Sequence, residues 1–358
     1  MKTSAAILWL GIGAACACHV SGQETDLYAI KIKKIKDGIY LAYRPEPLRL
    51  FVEGNVTIII NENDVVVVDA GGAPQAAKNV IAEIRKLTPN PVRYVINTHI
   101  HRDHRFGNQE YLKAFPGAEI IAHPGVREII TGTSSKYMAD LLTRIDAPQR
   151  QIEEEISRLR KEGKPGNNRI IAHLERFLNQ DIQTMRREYH KVVNTPPTVT
   201  FEQKLVLHRQ RRSIEILFLG PGDTPDDVVV YLPDDKVVCT GDMVVHPFPY
   251  GFSEQPLQWL RTLGKLADLD FEYLIPGHGE AQRGKTYLRS VMSLLRLVQD
   301  QVRTGVVAGL TLEEIRGRVD LSRFEAGFDD PVYRYYFREY FAIPNVERTF
   351  KEINAQPR

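Results

Sequence analysis

Cysteine is nearly absent: the 358 residues contain three, at positions 16, 18 and 239. A disulfide-built scaffold and a zinc site of four thiolates are both excluded by that count. An excess of one charge is missing too. Lys and Arg total 47 against 45 Asp and Glu, a formal net charge of +2, so no whole-protein field gathers nucleic acid or an anionic membrane. Low-complexity tracts and short internal repeats do not occur. What remains is ordinary, with 43% apolar and 26% charged residues, which excludes a disordered or collagen-like chain. The length is more than double the roughly 150 residues of a typical domain.

Long apolar runs are confined to the N-terminus. Met1-Lys2 gives a positive start, Ala5–Ala17 is apolar throughout, and Val20-Ser21-Gly22 supplies small residues. A membrane anchor needs about 18 or more apolar residues. The segment 1–22 therefore reads as a secretory signal peptide, and the mature protein as exported, periplasmic or secreted, without a stable membrane span. Lipoprotein anchoring at Cys16 or Cys18 has weak support, because neither has an aliphatic residue three places upstream. Cleavage leaves Cys239, inside an apolar run, as a buried packing residue.

Beyond residue 28 short β-runs dominate: Ala29–Ile35, Ile39–Arg44, Val56–Asn61 and Val65–Asp69, with turn residues between them. The valines ending at Val68 suit a strand buried on both faces. A helix over Gln75–Lys86 and a strand over Val92–Asn97 follow, the alternation of an α/β chain. From about 124 to 195 the Leu and Ile positions take helical spacing, broken at Gly163–Asn168. Strands resume at Val199, Leu205–His208, Ile214–Leu219, Val228–Leu232 and Val237–Thr240, and 286–353 is helical again. The charged insertion reads as a solvated cover, and could also form a lid or a homodimer contact.

Chemistry concentrates in Thr98-His99-Ile100-His101-Arg102-Asp103-His104, directly after a strand. Four potential metal ligands in six residues suit zinc, and also iron or manganese. His99 and His101, two apart in an extended segment, face one side and can chelate one ion. Asp103 and His104 lie beyond the turn and could serve a second.

This run resembles the HxHxDH signature of the metallo-β-lactamase superfamily, and further elements follow in order. Asp69, ending an apolar strand, resembles the early aspartate that supports the metal loop. The segment Leu219–Pro225 resembles the one that usually carries a histidine before Thr-Pro. Thr240-Gly241-Asp242 resembles the element whose carboxylate bridges two metals, and Pro276-Gly277-His278-Gly279 the final ligand motif. The resemblance implies a four-layer αβ/βα sandwich over 23–284, with a helical insertion at about 124–195 and a helical C-terminal extension over 285–358.

One position departs from the pattern: Asp223 stands where the family usually has its third histidine. Two readings compete. Asp223 ligates, giving one site of His99, His101 and Asp223 and another of Asp103, His104 and His278, bridged by Asp242. Alternatively its shorter reach leaves the first site weak and one ion is held tightly.

The resemblance implies a metal-dependent hydrolase with two zinc ions, iron or manganese being alternatives, and the N-terminal segment makes it an exported one. A metal-bound hydroxide would cleave an ester, thioester, lactone or amide-type bond in a small-molecule substrate. Asp103 would orient the nucleophile and shuttle its proton, while Asp69 fixes ligand orientation. An aspartate at 242 resembles the glyoxalase II and general hydrolase branches more than typical β-lactamases, which carry cysteine or serine there. β-Lactamase activity, an iron-dependent oxidoreductase and a metal-depleted binding protein are the alternatives. His246 and Tyr250 are expected to line the substrate pocket, and His123 to serve at a strand end. His173, His190 and His208 read as surface residues. The Arg209, Arg211 and Arg212 cluster reads as a solvated hairpin turn, not a nucleic-acid surface.

Overall fold

The computed structural model describes residues 27–44, 53–132 and 149–355. The signal segment with Cys16 and Cys18, and part of the helical insertion, lie outside the described residues. Thirteen strands in these residues form two sheets. The first runs in chain order: β1 (Lys31–Lys36), β2 (Ile39–Tyr43), β3 (Val56–Ile60), β4 (Val65–Val68), β5 (Val92–Ile96), β6 (Glu119–Ala122) and β7 (Val199–Thr200). Hairpins make its first half antiparallel, and β4 to β7 are parallel. Crossovers of helix join the parallel strands, as that geometry demands. In the second sheet β8 (Lys204–His208), β9 (Ser213–Leu217), β10 (Val229–Leu232), β11 (Val237–Cys239), β12 (Tyr273–Ile275) and β13 (Gln282–Arg283) are neighbours in sequence order.

Four consecutive valines make β4, and all four are buried. Val66 and Val68 point into the space between the sheets, meeting Ile216, Val230 and Cys239 of the second sheet. Val65 and Val67 face the other way, onto α1 (Pro74–Leu87). That helix starts with proline at its first turn and buries Ala77, Val80, Ile81 and Ile84 along one stripe. On the far side α8 (Pro256–Asp268) and α9 (Thr286–Val307) cover the second sheet. The order helix, sheet, sheet, helix is the four-layer sandwich expected from the sequence.

The two helical additions share one core. Between β5 and β6 come α2 (Arg102–Arg105) and α3 (Asn108–Ala114), and between β6 and β7 come α4 (Pro124–Gly132), a helix over 149–162 (α5), α6 (Asn167–Arg176) and α7 (Ile182–Tyr189). After α9 come α10 (Leu312–Arg316), α11 (Ser322–Glu325), α12 (Pro331–Tyr336) and α13 (Ile343–Ala355). Ile156, Leu159, Ile170 and Leu174 of the insertion pack in a cluster with Val332, Tyr336, Phe341 and Val346 of the C-terminal helices. Trp259, from α8, belongs to the same cluster. His173 is drawn into this contact, half-buried with its ring 5.4 Å from Tyr336, so it is not the surface residue its charged context suggested. His190 and His208 are exposed. In the turn between β8 and β9, Arg209 pairs with Asp64, Arg211 with Glu62 and Arg212 with Asp235. Among the described residues no helix is long and apolar enough to cross a membrane.

Candidate metal centre

Five chain segments that leave strands at one edge of the two sheets converge. Asp69 follows β4, residues 98–104 follow β5, Asp223 follows β9, Asp242 follows β11 and His278 follows β12. Rigid strand ends place these loops, and the loops are tied to one another by backbone bonds. Ala70 N donates to the His104 carbonyl at 2.7 Å, Gly54 N to Asp103 O at 3.3 Å, and Gly277 N to Gly241 O at 2.8 Å. Asn55 N donates to Gly277 O at 2.6 Å, and its Nδ2 to the Pro276 and Gly279 carbonyls at 2.8 Å each. That side chain grips the loop carrying His278 from both sides.

The convergence makes two groups of potential ligands: His99, His101, Asp223 and Asp242, and Asp103, His104, Asp242 and His278. Within each group the ligand atoms lie within 4.8 Å of one another. His101 Nδ1 is 3.0 Å from His99 Nε2 and 3.2 Å from Asp223 Oδ2. His278 Nε2 is 3.1 Å from Asp103 Oδ2 and 3.3 Å from Asp242 Oδ1. Asp242 belongs to both groups through different oxygens, Oδ1 toward His104 and His278 and Oδ2 toward His99. His101 and Asp103 are the partly exposed members, with 42% and 24% of their side chains accessible. They mark the open side.

The outer ring of contacts orients the imidazoles. Asp69 Oδ2 lies 2.8 Å from His104 Nδ1, so the carboxylate accepts a hydrogen bond from Nδ1–H and leaves Nε2 facing Asp242 and His278. Asp69 Oδ1 accepts from Thr98 N at 2.8 Å, and Thr98 Oγ1 donates to the same carboxylate. The hydroxyl oxygen is 3.0 Å from His99 Nδ1, so it accepts a hydrogen bond from Nδ1–H and turns His99 Nε2 inward. Asp69 takes a left-handed φ of 64° to make these contacts, a conformation Asp tolerates better than most residues. Gly277 is required by closeness: a Cβ there would stand 2.0 Å from Asp242 Oδ1.

Burial works against charge throughout the centre, and neighbouring groups decide the outcome. Burial alone would raise Asp103 and Asp242, yet the adjacent His104 and His278 hold both well below the usual carboxylate range. Burial would lower His104 and His278, yet the carboxylates raise both, His278 to about 9. His99 goes the other way, lowered well below its usual value by burial and by the neighbouring imidazoles. The cluster of three carboxylates thus demands positive charge at its middle.

The residues singled out in the sequence divide cleanly. His99, His101, Asp103, His104, Asp223, Asp242 and His278 come together, with Asp69 directly behind. Tyr250 places its ring 5.4 Å from that of His278. His246 is not among the ligand groups; its N donates to the His278 carbonyl at 3.2 Å, and its ring, 5.0 Å from Tyr287, lines a cavity of 390 Å³ with Tyr43, Glu280, Phe328 and Tyr333. His123 is engaged with Asp226 at 2.8 Å and stacks on Phe218.

Four contributors escaped the sequence reading. Thr98 had a signal, its place between the strand end and His99. Asn55 and Asp227 had none, since their partners are distant or backbone. Asp227 accepts from Asp223 N at 2.7 Å and also from Thr224, holding the loop that presents Asp223. Glu53 is buried behind Asp103, accepting from Gly72 N at 2.5 Å, and burial pushes its carboxyl up to about 7.

The family model of the metallo-beta-lactamase superfamily matches residues 49–278. The chain belongs to that superfamily. Its linear primary-alkylsulfatase relative from a Pseudomonas species is 25% identical over 300 residues, covering 81% of this chain and 53% of that protein. The chain thus spans about half the length of that relative. The metallo-beta-lactamase type 2 of Elizabethkingia meningoseptica is 26% identical over 245 residues, covering 68% of this chain and 73% of the other. Among solved structures, a metallo-beta-lactamase from Pontibacter korlensis has a TM-score of 0.52 at 17% identity, covering 75% of this chain and 99% of its own. That likeness concerns the fold alone.

Proposed function

We propose that this metallo-beta-lactamase superfamily chain is a binuclear metal-dependent hydrolase with zinc as its ion. The observation that carries the reading is the double group of ligands sharing Asp242, one oxygen to each side. The donor set fits the ions. Both Asp223 oxygens and Asp242 Oδ1 are buried without a well-formed hydrogen bond among the described residues, with only imidazole nitrogens at 3.2–3.3 Å beside Asp223 Oδ2 and Asp242 Oδ1, a costly state for polar atoms unless something else engages them. In this reading His99, His101 and Asp223 hold one ion, and Asp103, His104 and His278 the other. Imidazole and carboxylate are competent zinc donors.

Bound ions supply Lewis-acid charge that acidifies water and polarises the scissile group. The chain's own residues do the rest. Asp103 stays a carboxylate at neutral pH and reaches the open side, so it accepts a hydrogen bond from the attacking water and directs it. Asp69 and Thr98 fix His104 and His99 in the orientation that keeps Nε2 toward the ions. With aspartate at 223 in place of a neutral imidazole, the centre carries one positive charge fewer, which makes product anions easier to release.

For the substrate, the alkylsulfatase relative supports an ester carrying an alkyl group, the sulfate ester foremost. A second reading, opening of a β-lactam ring, is supported by the Elizabethkingia relative. Export through the N-terminal segment is part of the proposal and rests on its apolar run. Metal content, measured with a hydrolysis screen over alkyl sulfates, carboxylic esters, thioesters, lactones and β-lactams, tests the whole. Two zinc ions per chain and an ester hydrolysis lost in Asp103→Ala are expected. Iron with oxygen consumption would establish an oxidoreductase instead. Less than one metal per chain, with Asp103→Ala behaving as the unsubstituted protein does, would leave a binding protein.

A further inference from the structure

A row of aromatic rings leads from the candidate centre out to solvent. Tyr250 stands against His278, and beyond it Tyr340 and Phe252 close a triangle. Their centroids lie 5.7 Å apart for Tyr250 and Tyr340, 6.1 Å for Tyr250 and Phe252, and 5.7 Å for Phe252 and Tyr340. At the inner end His278 is 2% exposed, while at the outer end Phe252 is 36% exposed. Gly251 N donates to the Tyr340 carbonyl at 2.7 Å, and a Cβ on Gly251 would meet the Phe341 carbonyl at 2.4 Å. The loop bearing Tyr250 and Phe252 is therefore seated directly on the C-terminal helices.

The ring faces of this row are apolar, and Tyr250 and Tyr340 add one hydroxyl each. Exposed apolar side chains that adjoin a polar site mark a ligand surface more often than scattered ones do. Flat rings offer large contact area at little cost in side-chain freedom.

We propose that Tyr250, Phe252 and Tyr340 form a wall that binds the hydrocarbon chain of the substrate, so that the enzyme selects esters with a chain of several methylene groups. The inference rests on the hydrolase reading for the position of the reacting bond. It assigns to the C-terminal helices, through Tyr340, a part in choosing the substrate.

The test is a homologous series of straight-chain alkyl sulfates and of p-nitrophenyl acyl esters, short to long, with wild type, Phe252→Ala and Tyr340→Ala. In wild type kcat/KM should rise by about two- to fourfold for each added methylene. In both variants that slope should flatten, with the loss concentrated in the long members. A flat wild-type series, or an unchanged slope in both variants, overturns the wall. Calorimetric binding of butyrate and decanoate gives a readout independent of turnover. If no ester is cleaved yet decanoate binds much more tightly than butyrate, and the variants lose the difference, the wall stands and the hydrolase reading falls. Equal affinity for the two acids overturns the wall whatever the turnover. Phe252 is partly exposed, so its truncation leaves the core intact; Tyr340→Phe, which keeps the ring, should keep the slope.

Discussion

Replacing Asp69 by asparagine isolates the task of one carboxylate. The change preserves shape, and asparagine tolerates the left-handed backbone that Asp69 adopts at φ 64°. What it removes is acceptor capacity. The carboxylate accepts hydrogen bonds from Thr98 N and Thr98 Oγ1 and engages His104 Nδ1 at 2.8 Å. An amide has one accepting atom, so Thr98 and His104 cannot both be served. Left without an acceptor at Nδ1, His104 gains by moving its proton to Nε2, the atom 3.3 Å from Asp242 Oδ1. That tautomer cannot ligate. A hydrogen bond to a charged group contributes about 1.5–3 kcal/mol, and 1.4 kcal/mol is a factor of ten. Affinity for the ion beside His104 should therefore fall by about ten- to a hundredfold. Competition against a chromophoric chelator measures this, with circular dichroism to show that the fold persists. Asp69→Ala should additionally lower Tm, because alanine pays for the left-handed φ. A folded Asp69→Asn protein that holds zinc as tightly as wild type would refute the assignment of Asp69 as the residue that orients His104.

Other expectations follow from the same geometry. Asp223→His replaces a hard oxygen donor 3.2 Å from His101 Nδ1, so the ratio of zinc to iron taken up from an equimolar medium should rise; an unchanged ratio would count against ligation at 223. Gly277→Ala drives a methyl into Asp242 Oδ1, which it would approach at 2.0 Å. The displaced carboxylate should cost about a hundredfold in kcat, the scale set by misplacements of about 1 Å, and wild-type kcat would refute the crowding. For pH, burial lowers His278 but Asp242 and Asp103 outweigh it and raise it to about 9. Stability from this imidazolium is fully present below its ordinary value, about 6.5, and is lost as pH rises through about 9. Metal affinity should run oppositely, because a protonated imidazole cannot ligate. It should climb with pH until about 9, and a flat profile by calorimetry would exclude proton competition at this residue.

The ligand residues were legible because chemistry compresses them into short strand-end motifs. His99 through His104 announce themselves within six positions, and Asp69, Asp242 and His278 each close an apolar run. The strands were legible for the same reason, through β-branched runs such as Val65–Val68. What escaped was contact between distant segments. Nothing in the spacing of Ile156 or Leu174 says that they meet Phe341, since helical periodicity reports a buried face and not its partner. Glu53 looks like any loop carboxylate until the fold encloses it behind Asp103. Asn55 acts on carbonyls more than two hundred residues away, a target that leaves no side-chain signature. His173 was misread because a charged neighbourhood in sequence says little about which rings pack on it in space.

The backbone bonds that tie the loops to each other have a consequence for how this centre opens. Asn55 to Gly277, Ala70 to His104 and Gly277 to Gly241 link segments from both sheets, so no one loop can swing out while the others stay closed. Opening is then a joint event at the whole sheet edge, and any ion that bridges the segments opposes it further. Amide hydrogens at 55, 70 and 277 should exchange at a common rate and slow together when metal is added. The same knot should slow the release of any ion held there, even where each donor is weak, because leaving requires the edge to part as one.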